Sequence, residues 1–134
     1  MKSLVAFLVL ILPLAACRQV EPERRSTEAE IRQHIVGEWM LADSSDGCWY
    51  PTMIVAEDGT FSGVETNGTK VLIGKWEMSH TLLRVTYPPA DVKAARTSGF
   101  FMNEWDYFPV IYADAHELVM TPGISMAGRW RYQR

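Results

Sequence analysis

The stretch Val71–Tyr87, VLIGKWEMSHTLLRVTY, decides the fold. In its second half Leu83, Val85 and Tyr87 fall on one face of an extended chain, and Arg84 and Thr86 fall on the other. That period of two belongs to a strand with one buried face. Ser79-His80 separates it from VLIGKWEM, a second β-rich run, so the whole stretch reads as a hairpin. Working outward, AEDGTF (56–61) and ETNGTK (65–70) place Asp58-Gly59 and Asn67-Gly68 between apolar runs. These are strong hairpin signals, because both central turn residues tolerate positive φ. WDYFPVIY, ADAH and ELVM (105–120) read as a further hairpin. In GRWRYQR (128–134) Trp130 and Tyr132 alternate with Arg129 and Arg131. On the upstream side WYPTMIVA (49–56) is β-rich, and Trp39 and Leu41 alternate with Glu38 and Met40.

About eight strands with tight turns make a meander, and closing a meander removes its exposed edges. The expected fold is therefore all-β: a small antiparallel up-and-down barrel. One short helix precedes it. In STEAEIRQHIVG (26–37) Thr27 and Glu30 have capping-box spacing, Ile31 and Ile35 share a face, and Gly37 is a natural stop. Two helical turns are unstable alone, so this helix must pack on the barrel. One interval breaks the meander. PPADVKAARTSGFFMNEW (88–105) is too long for a hairpin turn; Ala90 to Arg96 can form a short helix, and Phe100-Phe101-Met102 cannot all enter a core by alternation. It is either a lid or the start of a long bent strand.

The N-terminus reads differently. Lys2 precedes an unbroken apolar run, Leu4 to Leu12. At ~1.5 Å per residue such a helix spans only ~14 Å, too little for a ~30 Å hydrocarbon core, so the run is a secretory signal. Leu14-Ala15-Ala16-Cys17 resembles the lipobox of bacterial lipoproteins. The resemblance implies removal of residues 1–16, a diacylglyceryl thioether on Cys17 and acylation of the new amino terminus, since stable anchoring takes more than one chain. Arg18, where lipoproteins retained at the inner membrane carry Asp, points to the outer membrane, facing the periplasm. Residues 17–26 are then the lipidated cysteine and a polar tether, RQVEPERRS; residues 27–134 are the barrel domain.

The chain has 134 residues, enough for one domain. Losing residues 1–16 removes Lys2 and no acid, leaving 12 basic and 16 acidic side chains, a net charge of −4. A mildly acidic domain without a basic cluster is a poor nucleic-acid binder. With lipid on Cys17, Cys48 has no intramolecular partner; in DGCWY it reads as a small apolar residue at a strand start.

A short helix, GEW (37–39), EDGTF (57–61), GKWEMSHTLLRVTY (74–87) and a β-meander together resemble the lipocalin-like proteins, in particular the small lipocalin-like domains of bacterial lipoproteins. G-x-W occurs three times, at Gly37–Trp39, Gly74–Trp76 and Gly128–Trp130. The resemblance implies that Gly37 lets helix and barrel floor approach, that Trp39 plugs the barrel end, and that a late arginine, Arg129 or Arg131, packs across Trp39. Gly74 and Trp76 repeat the motif. The usual lipocalin disulfides are absent and the chain is short, so a pocket is small or filled by side chains.

His34, His80 and His116 do not approach metal-ligand spacing, and the loop DSSDG (43–47) lacks the alternating oxygens of a calcium loop. No nucleophile elbow, phosphate loop or metal helix motif occurs, so a non-enzyme without metal or cofactor is expected. The functions left are a binding module for a small apolar or amphipathic ligand, an interaction module for an envelope protein, or a structural spacer. Phe61, Trp76, Met78, Tyr87, Phe101 and Tyr107 are the residues that would line a ligand site or, equally, fill a core. An interaction module would use the 18–26 arm and the 88–103 loop, as small inhibitors of proteases or lysozyme do.

Overall fold

The computed structural model of the chain describes residues 22–44, 50–123 and 128–134. The signal, the lipobox with Cys17, and Cys48 lie outside the described residues. The first helix begins at the expected cap. The Thr27 hydroxyl accepts from the Glu30 N–H at 3.3 Å, and the Glu30 carboxylate accepts from the Thr27 N–H at 2.7 Å. The helix α1 runs Glu28–His34. Its stability comes from Ile31 and Ile35, which are fully buried in the core. Gly37 does not end the helix. The last turn closes with the Ile35 N–H on the Ile31 carbonyl at 2.8 Å, and Gly37 opens the first strand at φ +148°.

The strands are β1 (Gly37–Ser44), β2 (Thr52–Val55), β3 (Thr60–Val64), β4 (Lys70–Ser79), β5 (Leu82–Thr86), β6 (Trp105–Ala113), β7 (Glu117–Met120) and β8 (Trp130–Gln133). Each pairs antiparallel with its neighbour in sequence, and β8 pairs with β1 to close the barrel. A second helix, α2 (Pro89–Thr97), interrupts the β5–β6 connection, so the long interval is a helix and a loop rather than a bent strand.

The Asp-Gly and Asn-Gly hairpins fall where expected, by a different turn. Only the glycines, Gly59 and Gly68, have positive φ, each +85°. Asp58 and Asn67 instead accept hydrogen bonds from the backbone of Thr60 and Thr69, at 2.9 and 2.8 Å. A three-residue loop with one left-handed glycine results, the form in which a G1 bulge follows a type I turn.

The barrel has two unlike ends. At the closed end stand α1, the β2–β3, β4–β5 and β6–β7 turns and the C-terminal residue. Trp39 is fully buried there, its indole N–H donating to the Ile35 carbonyl at 2.8 Å. The arginine across it is Arg134, not Arg129 or Arg131: the Arg134 guanidinium carbon lies 4.0 Å from the Trp39 ring centre. It donates to the carbonyls of Val36, at 2.9 Å, and His34. Strand parity explains the difference. Trp130 and Tyr132 point inward, so Arg129 and Arg131 point out, to Glu23 and Glu117. Arg134 shares the inward parity and lies past the strand end, where it can fold over the barrel floor. Gly37 has φ +148°, which disfavours any side chain, and a Cβ there would also stand 3.0 Å from the Arg134 guanidinium carbon.

Above this floor Met53, Val55, Phe61, Leu83, Leu118 and Met120 fill the interior, all fully buried. Phe108 and Trp130 stack at 6.1 Å beside them. The second G-x-W serves strand packing. A Cβ on Gly74 would meet the Thr86 carbonyl oxygen at 2.2 Å, at a bulge where β4 carries one residue more than β3. The part of the tether that is described also belongs to the barrel. The Ser26 N–H donates to the Ile111 carbonyl, the Ser26 hydroxyl exchanges hydrogen bonds with Ala113, Arg24 lies 4.5 Å over the Tyr112 ring, and Glu23 pairs with Arg129 at 2.8 Å. Residues 22–26 thus form a strap across an outer apolar patch of Ile111, Tyr112 and Val119.

Candidate functional site

At the other end, among the described residues, the barrel is open. The β3–β4 hairpin, the start of β2, α2 and the loop that follows α2 surround a cleft of about 950 Å³. Tyr50, Val71, Ile73, Phe101 and Met102 give it apolar lining. Ile73 reaches the cleft because the β4 bulge shifts the chain by one residue there. Tyr50 lies with its ring against Gly63. Met102 packs against the top of the core, while Phe101 stands 89% exposed at the rim.

The polar part of the lining is organised around Asp106. The Tyr87 hydroxyl donates to Asp106 Oδ2 at 2.8 Å, and the Asn103 amide donates to Oδ1 at 2.9 Å. Burial pushes the Tyr87 phenol well up, and the Asp106 hydrogen bond and charge push it further. Tyr87 therefore stays a protonated donor across the physiological range. Asp91, on the first turn of α2, and Glu65, on the β3–β4 hairpin, add two more carboxylates to the lining. Among the described residues lining the cleft none is basic. The site therefore offers acceptors and negative charge beside apolar side chains.

Of the six residues expected to line a site, Tyr87 and Phe101 reach the cleft. Phe61 is interior core beneath it. Met78 is buried near the floor, where Arg32 of α1 donates to its carbonyl at 3.0 Å. Trp76 is half-buried beside the β2–β3 turn and donates its indole N–H to the Ala56 carbonyl at 2.8 Å. Tyr107 is on the outer wall: it pairs with Arg84 and meets Trp105 edge-on at 5.0 Å. Phe108 and Val110 claim the inward positions of β6, which turns Tyr107 outward and Asp106 inward, opposite the buried Val85. A carboxylate at an inward position of an otherwise apolar strand was the signal for Asp106. Tyr50, Ile73 and Asp91 had no comparable signal, since a bulge and a helix angle place them.

Among the described residues no group of three or more His, Cys, Asp or Glu side chains could hold a metal ion. No helix there is long and apolar enough to cross a membrane.

No protein-family model matches the chain, and no curated protein matches it in sequence. Solved structures do match the fold. A lipocalin-like protein from Bacteroides uniformis superposes with a TM-score of 0.53 at 14% identity, covering 74% of this chain and 96% of that one. An uncharacterized protein from Bacteroides eggerthii gives a TM-score of 0.52 at 14% identity, covering 74% of this chain and 98% of that one. The closed eight-stranded antiparallel barrel is thus lipocalin-like in fold.

Proposed function

We propose that this barrel is a binding protein rather than a catalyst, that it takes a small amphipathic molecule into the open-end cleft, and that lipid on Cys17 holds it at the cell envelope, at the outer membrane facing the periplasm. The observation that carries the binding role is the cleft itself: about 950 Å³, lined by Tyr50, Val71, Ile73, Phe101 and Met102 together with the Tyr87–Asp106–Asn103 set. Clefts of this size, apolar with a few converging polar groups, are the usual form of small-molecule sites.

The charge of the lining narrows the ligand. Glu65, Asp91 and Asp106 would repel a carboxylate and attract an amine or a hydroxyl donor. Long-chain amines or alcohols should therefore bind and fatty acids of equal length should not. Fluorescence titration of the protein with dodecylamine, dodecanol and laurate tests this. Saturable binding of the first two, weakened about tenfold by Asp106→Asn or Phe101→Ser, is the expected result. Preference for laurate, or no saturable binding of any of the three, overturns it. The anchor is tested separately, by the intact mass of the protein purified from membranes, which should carry the N-terminal lipid and lose it in Cys17→Ser.

A further inference from the structure

We propose that the open end of the barrel docks on the surface of a lipid bilayer, so that the cleft faces the membrane. The inference rests on the Cys17 anchor for its orientation and on the barrel surface for its contact. Five large apolar side chains are exposed among the described residues: Met40, Leu72, Phe100, Phe101 and Trp105. Four of them, all but Met40, are at the open end. Leu72 and Phe101 line the cleft, Phe100 adjoins Phe101, and Trp105 begins β6 at the same end, its ring centre 5.2 Å from the Arg84 guanidinium. Phe100 and Phe101 are 72% and 89% exposed. Aromatic side chains prefer the headgroup level of a bilayer to water.

The strap supplies the direction. Ser26 is held at Ile111 and Ala113, near the closed end of β6. Glu23 is held at Arg129, which immediately precedes β8 at the open end. Followed backwards, the chain passes Tyr112, which Arg24 covers, and reaches Arg129 at Glu23; the described residues end one position further on, at Pro22. Only four residues lie between Pro22 and Cys17, and the five Cα steps reach at most about 18 Å. A lipid on Cys17 can therefore lie in a membrane that the rim touches. The contact is apolar rather than electrostatic: on and beside α2, Lys93 and Arg96 are matched by Asp91 and Glu104, with Arg96 and Glu104 3.9 Å apart, and the other cleft carboxylates, Glu65 and Asp106, give anionic headgroups no attraction.

The experiment uses the mature chain with Cys17→Ser, exported behind a conventional signal so that it carries no lipid, and vesicles of phosphatidylethanolamine and phosphatidylglycerol. It should co-sediment with vesicles at millimolar lipid, with little change between low and high salt. Phe100→Ser/Phe101→Ser should weaken partition about 10- to 100-fold while leaving the fold intact by circular dichroism, since both side chains are exposed. Failure to sediment, equal sedimentation of the double variant, or release by salt overturns the docking surface. So does a rim that only pairs two copies of the chain, seen as a dimer that the double variant loses and vesicles do not bind. These outcomes do not depend on the anchor, whose own failure would appear as a missing lipid mass. In the lipidated protein on vesicles, hydrogen exchange should slow at 99–104 relative to detergent and stay unchanged at 114–116. The reverse pattern refutes the orientation.

Discussion

Arg134 shows what a single residue reveals about reading this chain. The alternation of Trp130 and Tyr132 with Arg129 and Arg131 was plain in the sequence, and the same alternation already assigned both arginines to the outside. Continued by one step it puts residue 134 inward, so the clamp was legible by parity and hidden by the assumption that it lay within the strand. The energies should follow the geometry. Arg134 combines a ring contact at 4.0 Å with hydrogen bonds to two helix-end carbonyls. Arg134→Ala should cost about 2 kcal/mol in urea unfolding. Arg129→Ala and Arg131→Ala remove exposed ion pairs and should each cost less than about 1 kcal/mol. Equal losses for all three would refute the assignment of the clamp.

At the scale of elements, turns and strands were legible and side-chain facing was legible only between irregularities. Each hairpin lay where its glycine or short polar turn put it, because those residues act locally. Tyr107 was misplaced because alternation fixes which residues share a face and not which face is inside; Phe108 settled that by packing on Trp130. The β6–β7 turn carries a pH dependence. Asp114 accepts from the Tyr112 hydroxyl at 2.6 Å and from the N–H groups of His116 and Glu117 at 2.7 Å each. The Tyr112 hydrogen bond first, then those two, hold its carboxyl down to about 2 against an ordinary 3.8. A carboxyl lowered by folding contributes stability that is present above its unfolded value and lost as pH falls toward its folded one. Thermal stability should therefore fall between pH of about 4 and about 2. Asp114→Asn should flatten that part of the curve; an unchanged acid slope in the variant would sink the claim.

For the whole molecule, the barrel was legible because hairpins in unbroken succession have few other ways to bury their edges. The cleft was not, since it depends on how far α2 and its loop stand off the barrel mouth, a distance no periodicity encodes. Closure itself is the most exposed joint. β8 seals β1 to β7, and deleting residues 130–134 would leave two unpaired edges and uncover Trp39. That variant should aggregate on expression, and a monomeric, cooperatively melting product would contradict the role of β8. The same joint sets an order in time. The Val36 carbonyl waits for an arginine 98 residues further along the chain. Synthesis must therefore run nearly to the end of the described strands before the first of them gains its second partner. Until then the nascent barrel is a sheet with a free edge, which makes the interval of synthesis, rather than the finished fold, its period of greatest vulnerability to pairing with other chains.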